Sequence, residues 1–178
     1  MKSYTGELVK RDVQKISLTS KRKSIFGLGG PDINRYIGVL RDLGYRDITL
    51  FENNPKVYEK QKRQKPNCDL IFDNILNHLG HEVFYDFDFC STMRKIEPYM
   101  LQIIRSPQYS LTLSLRGMGY EDTISTFRKY TDAKYISYFD TSAMITFFQS
   151  LTKKDNYVKN NNQFLLSKRG ERIKENHC

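Results

Sequence analysis

Ile33, Tyr36, Ile37 and Leu40 are spaced i, i+3, i+4, i+7, the apolar stripe of one helix face. A short apolar run, Ile25-Phe26, precedes this stretch and leads into Gly27-Leu28-Gly29-Gly30. A second run, Ile48-Thr49-Leu50-Phe51, follows it and ends at Glu52. Residues 24–54 therefore predict strand, glycine turn, helix, strand, acidic residue. Pro31 suits the first helical position, where a missing N–H costs nothing. Gly44 stands where a helix C-terminus favours glycine.

The pattern continues in the same alternation. Pro55 opens a second helix over 56–65, nearly all polar and so expected on the surface. Residues 68–72 read as a third strand with Asp73 and Asn74 at its end, and 75–80 as a short helix or turn. Residues 82–90, Glu-Val-Phe-Tyr-Asp-Phe-Asp-Phe-Cys, form a fourth strand that closes on alternating acids and aromatics. A helix is expected over 93–104 despite Pro98, a fifth strand over 111–115, a flexible turn at 117–120 and a helix over 122–130. Residues 134–139 and 143–148 are two strands joined by three residues, which requires an antiparallel hairpin. Strands alternating with helices predict an α/β fold: a Rossmann-like, mostly parallel sheet flanked by helices, with a C-terminal antiparallel β-hairpin.

Charge divides the chain further. The net charge of +9 over 178 residues is carried by the ends: +5 on residues 1–23 and +4 on 151–178, while 24–150 sums to zero. The expected organisation is a basic N-terminal arm (1–23), one α/β domain (24–150) and a basic C-terminal tail (151–178). Basic ends on a neutral body suggest a polyanionic partner, nucleic acid first. No apolar run nears the ~18 residues of a membrane span, and 1–20 lack the apolar centre of a signal peptide. The three widely spaced cysteines, Cys68, Cys90 and Cys178, suit reduced thiols in an intracellular, cytoplasmic setting. The Asn-, Lys-, Ile- and Tyr-rich usage hints at an AT-rich genome, viral in origin.

The first strand–helix–strand unit carries the candidate chemistry. Gly27, Gly29 and Gly30 let the backbone turn sharply and approach a ligand. Glu52, 23 residues after Gly29, sits where a carboxylate accepts hydrogen bonds from both ribose hydroxyls. A plain strand–helix–strand unit, with glycines serving only the turn, is the competing reading. Asp73 and Asn74 stand at the carboxyl end of strand three, where ligands collect in open α/β sheets. Asp86 and Asp88 are costly to bury unpaired and need compensation from backbone N–H groups, water or a ligand.

Five strands with helical crossovers and a terminal hairpin resemble the class I S-adenosylmethionine-dependent methyltransferases. The resemblance covers residues 24–150 and rests on element order and three local matches: the glycine turn, Glu52, and Asp86-Phe87-Asp88-Phe89. It implies S-adenosylmethionine as cofactor, with Gly27, Gly29 and Gly30 against its amino-acid part, Glu52 on the ribose, and Asp73 and Asn74 near the adenine. The fourth-strand segment is also similar to the Asp-x-Asp-Pro-Phe-Gly pattern of tRNA guanosine N2-methyltransferases, without the proline. It implies methyl transfer to an amine of RNA or DNA. Asp86 or Asp88, with Asp88 preferred, would accept N–H hydrogen bonds, and Phe87 or Phe89 would stack on the base. The family's acid two positions before the first glycine is replaced here by Ile25.

Other readings stay open. One is a catalytically inactive sheet serving as a nucleic-acid-binding or assembly module. An NAD-linked oxidoreductase lacks the full dinucleotide spacing, since Asp32 stands three positions after Gly29. Cys90 as a pyrimidine-attacking thiolate lacks a Pro-Cys pair. His78 and His81 lack cysteine partners for a metal and read as turn residues, so no metal is expected. Tyr109, Tyr120 and Phe164 are further rings able to stack on bases. Target atom and oligomeric state do not follow from the sequence.

Overall fold

A computed structural model describes residues 16, 22–131, 133–139, 143–149, 165–166, 172–173 and 175–176. Of the expected arm only Ile16, Arg22 and Lys23 fall among these, and most of 151–178, Phe164 and Cys178 included, lies outside them.

The chain runs β1 (Ser24–Leu28), α1 (Ile33–Asp42), β2 (Asp47–Phe51), α2 (Pro55–Lys62), β3 (Asp69–Ile71), a 3-10 turn (Ile75–His78) and β4 (Phe84–Asp88). Next come α3 (Met93–Ile96), α4 (Met100–Ile103), β5 (Tyr109–Ser114), α5 (Tyr120–Arg128), β6 (Lys134–Phe139) and β7 (Ala143–Gln149). Three two-residue strands follow, β8 (Leu165–Leu166), β9 (Arg172–Ile173) and β10 (Glu175–Asn176). The main sheet has the order β10-β6-β7-β5-β4-β1-β2-β3. Strands β3, β2, β1, β4 and β5 pair parallel in sequence across it. β7 pairs antiparallel with both β5 and β6, so the expected hairpin is present and its second strand is inserted into the sheet.

The sheet reverses its winding between β1 and β4. From β1 the chain goes outward through β2 to β3, then returns to β4 on β1's other side. At that point the carboxyl ends of two neighbouring strands lead away in opposite directions and leave a crevice.

Two cores fill the faces. On one, α1 lays Ile33, Tyr36, Ile37 and Leu40 over Ile25, Ile48, Leu50 and Phe84. Each of those four α1 side chains is 0–5% exposed. Burying one contributes about 1.5–3 kcal/mol. That holds a ten-residue helix that would be marginal alone. On the other face Met93, Ile96, Met100 and Ile103 keep a helical apolar spacing and pack with Tyr85, Phe87, Tyr109 and Leu111. Ile16 is fully buried in the α1-side core.

Local chemistry moves several boundaries. Asp32, not Pro31, begins α1: it is the N-cap, its carboxylate accepting Arg35 N–H, and Pro31 lies one residue outside. Gly44 adopts φ +90° and ends α1 as expected. The helix expected over 93–104 is broken. Pro98 brings no N–H donor, and Glu97–Tyr99 tighten into a 3-10 turn between α3 and α4. α2 is shorter than expected and ends before Lys65, which sits in the left-handed region at φ 49° ahead of Pro66.

Candidate functional site

Register brings the carboxyl ends of β1, β2 and β3 level. Leu28 pairs with Phe51, and Phe51 with Ile71. The next residues are Gly29, Glu52 and Phe72. β4 enters from β1's other side, with Gly27 opposite Asp86. Asp88 is two residues further along β4, as Gly29 is along β1.

The glycines divide between two tasks. Gly27 is inside β1 and buried, not in the turn. A Cβ there would come within 3.2 Å of the Tyr36 hydroxyl. That hydroxyl donates to Asp86 Oδ2, and the Ser110 hydroxyl donates to Asp86 Oδ1 at 2.6 Å. Gly27 thus leaves room for a buried hydroxyl–carboxylate–hydroxyl bridge linking α1, β4 and β5. Asp86, fully buried, is the centre of that bridge. Both of its oxygens are engaged beneath the surface, so it does not reach a ligand at the strand ends. The bridge supplies the compensation that a buried carboxylate requires.

Gly29 and Gly30 form the turn itself. Gln61, a fully buried residue of α2, donates its single amide nitrogen to both carbonyls, at 3.1 Å each. Gln64 donates to the Pro31 carbonyl at 2.6 Å, and Asn34 returns a bond to the Gln64 carbonyl at 2.9 Å. A Cβ on Gly29 would approach Gln61 Nε2 to 3.2 Å. The turn is therefore a fixed cradle, held from behind by α2. Sequence reasoning missed this latch. Its signal was available: Val57 and Gln61 share one face of α2 at i, i+4, and Gln64 continues that spacing just past the helix end.

Glu52 is half-buried at the end of β2. Its backbone N–H bonds Ile71 O at 3.1 Å, continuing the pairing with β3. Its Oε1 accepts Asn54 N–H at 2.8 Å, which fixes the carboxylate and leaves Oε2 without a partner among the described residues. Asn54 itself caps α2, accepting from Lys56 and Val57 N–H.

Asp73 and Asn74 spend their side chains locally. Asp73 Oδ1 accepts from Asn74 N–H at 2.7 Å and Asn77 Nδ2 at 2.9 Å, and Oδ2 pairs with His78 Nε2 at 2.8 Å. The His78 bond, then those from Asn74 and Asn77, hold the Asp73 carboxyl below the ordinary carboxylate range. Asn74 Oδ1 accepts Leu76 N–H as the cap of the 3-10 turn. Both residues stand at the end of β3, with side chains already committed. His78 lies tilted against Phe51 at 4.6 Å between centroids and His81 against Phe26 at 5.3 Å, so both histidines pack against strand aromatics. Among the described residues no three His, Cys, Asp or Glu side chains cluster as a metal site would need.

The acid–aromatic segment of β4 splits across the sheet. Phe84 and Asp86 face α1, and alternation puts Asp88 on that side too. Tyr85, Phe87 and Phe89 face the other way as a ladder of near-parallel rings, spaced 5.3 and 5.8 Å. Phe87, fully buried between its neighbours, has no free face for a base. Phe89, half-buried at the top, is the ring nearest the strand end. Asp88 is 7% exposed at the same level. Tyr109, also wholly buried, is likewise closed to a base. Cys90 is exposed, whereas burial, then Asp69, pushes the Cys68 thiol up to about 11.

Comparison with solved structures bears on the fold. The sequence matches no protein-family model and no curated protein sequence. The chain is similar in structure to human methyltransferase-like protein 13 in complex with SAH, with a TM-score of 0.61 at 13% identity over 84% of each chain. An rRNA methylase from Streptococcus thermophilus aligns at 0.54 and 10% identity, over 80% of this chain and 95% of that one. Spermidine synthase from Thermotoga maritima aligns at 0.56 and 12% identity, over 88% and 65%. With its switch point beside β1 and its inserted antiparallel strand, this chain has the Rossmann-like fold found in S-adenosylmethionine-dependent methyltransferases.

Proposed function

We propose that this chain is an S-adenosylmethionine-dependent methyltransferase acting on nucleic acid, with an amine as acceptor. The observation that carries the reading is the pairing of a rigid glycine cradle with a fixed carboxylate on adjacent strand ends. Gly29-Gly30 and Glu52 lie side by side at the switch point, each held by its own hydrogen bonds.

The residues fit the cofactor at its ribose end. Glu52 Oε2 is available to accept a ribose hydroxyl, and Gly29 and Gly30 let the backbone come close. They fit less well at the adenine end, since Asp73 and Asn74 already serve as caps. Contact there falls to backbone or to neighbouring side chains. When bound, the cofactor supplies an electrophilic methyl group on a sulfonium. Asp88 then does the chain's own part. An exocyclic amine is a weak nucleophile while its lone pair is delocalised into the base. A carboxylate accepting its N–H bond localises that pair and fixes its direction. Phe89 is the ring left to hold the plane of the base. Several similar structures are rRNA methylases, and the basic ends supply charge for phosphates. Both are consistent with a nucleic-acid substrate.

A second reading, a catalytically inactive nucleic-acid-binding or assembly module, is favoured by one observation. Where the resembling family carries an acid before the glycines, Ile25 is wholly buried in the α1-side core. Calorimetric titration with S-adenosylhomocysteine separates the two. The wild type is expected to bind, and Glu52→Ala to bind at least about tenfold more weakly, ~1.4 kcal/mol. A folded wild type that does not bind would leave only the inactive module. Given binding, Asp88→Asn is expected to lower kcat for methyl transfer to RNA or DNA while leaving cofactor affinity unchanged.

A further inference from the structure

We infer that the outer face of α2, with Phe72 beside it, is a docking surface for a single strand of nucleic acid. The inference rests on the nucleic-acid part of the reading above, not on methyl transfer. Five of the fifteen Lys/Arg residues of 24–150 fall within 55–65, against one acid, Glu59. Eleven residues thus carry +4 on a body that sums to zero. The structure turns that composition into a surface. Lys56, Lys60 and Arg63, at i, i+4, i+7, are all exposed and line one hollow of about 410 Å³ with Pro55 and Glu59. A strand's phosphates match such a row of cations.

An aromatic step stands on the other flank of α2, where Tyr58 and Lys62 project. Phe72, directly after β3, is 53% exposed. Tyr58 of α2 supports it at 5.1 Å between centroids, and Lys62 Nζ lies 6.0 Å from the Tyr58 ring. Leaving a phenylalanine ring in water is unfavourable unless something covers it. Cations beside an open ring are the combination that holds phosphates and stacks a base with little sequence preference. The same helix turns Gln61 inward to the glycine cradle, and Gln64, just past its end, does the same. A strand seated on α2 therefore passes one helix width from the candidate cofactor site.

The test is fluorescence anisotropy of the full chain with labelled single-stranded RNA and DNA oligonucleotides of one sequence, across a salt series. Lys56→Gln/Lys60→Gln/Arg63→Gln is expected to weaken binding at least about tenfold at low salt. It should also flatten the log–log salt slope by about 2, near 0.7 for each phosphate no longer neutralised. Phe72→Ala is expected to weaken binding about tenfold without changing the slope. The charge-matched control is Arg94→Gln/Lys95→Gln/Arg105→Gln, three exposed residues of the opposite sheet face, and it should do markedly less. Melting temperatures check that all variants fold. Equal losses in both triple variants would overturn the surface, as would an unchanged α2 triple. A wild type that binds S-adenosylhomocysteine but no oligonucleotide overturns the docking surface and leaves the cofactor site standing. Binding of oligonucleotide through α2 without S-adenosylhomocysteine does the reverse. Preference for the RNA or the DNA oligonucleotide identifies which strand the surface takes.

Discussion

At the scale of the residue, the most instructive side chain is Asp86. An aspartate inside a buried strand reads as chemistry, because a carboxylate there is expensive without partners. The structure supplies the partners: Tyr36 and Ser110 hydroxyls, with Gly27 leaving space for the first. Tyr36→Phe should therefore destabilise the fold by about 1–3 kcal/mol, the cost of leaving a buried acceptor short of a donor. Urea unfolding measures it, and a loss below about 0.5 kcal/mol would mean that Asp86 is satisfied without Tyr36. Three of the residues singled out in the sequence thus separate by role. Gly27 and Asp86 belong to a structural bridge, and of the three only Asp88 stands at the carboxyl end of β4. The sequence could not make this separation, since the donors come from 50 and 24 residues away.

At the scale of the element, the 3-10 turn after β3 hangs on one carboxylate. Asp73 takes bonds from Asn74, Asn77 and His78, and its pKa is lowered in the fold. A lowered folded pKa contributes stability that is present above the ordinary carboxylate range and is lost as pH falls through the folded value. Asp73→Asn lacks that contribution at any pH. The melting temperatures of wild type and Asp73→Asn should therefore differ near pH 6 and converge as pH falls below the ordinary value of 3.8. A gap that stays constant to about pH 3 would show that the carboxylate charge does not hold the turn. Elements of this kind were hard to see in advance. The β1–α1–β2 unit was legible because one face of α1 repeats at helical spacing and Gly44 marks its end. The 93–104 segment kept the same periodicity, yet Pro98 cut it into two helices. Periodicity reports which face is buried, and it is silent on whether the hydrogen bonds run unbroken.

At the scale of the molecule, the sequence divided the chain by charge, and that division does not follow the packing. Ile16 lies in the basic N-terminal stretch but is fully buried with Ile25, Ile33 and Tyr36. Glu175 and Asn176, in the basic tail, pair with Ile136 and Tyr135 of β6 and extend the sheet. Net charge records what a segment offers to solvent and partners, whereas a single apolar residue decides whether it is anchored. The same distinction explains the site. Glycines, Glu52 and the strand ends were legible because strand, glycine turn, helix, strand and acid follow one another within 31 residues of sequence. Gln61 was not, because its role depends on α2 lying against a loop some thirty residues earlier. If Ile16 anchors the chain ahead of β1, Ile16→Ala should cost about 2–5 kcal/mol, the range for emptying a core position, and Ile16→Val only about 0.5–1.5. Urea unfolding of the full chain compares the two. Losses in that order mean that the segment ahead of β1 is part of the domain, so that removing it to test its charge would also weaken the core. A wild-type midpoint in Ile16→Ala would instead detach residue 16 from the fold and leave the basic stretch free to act on its own.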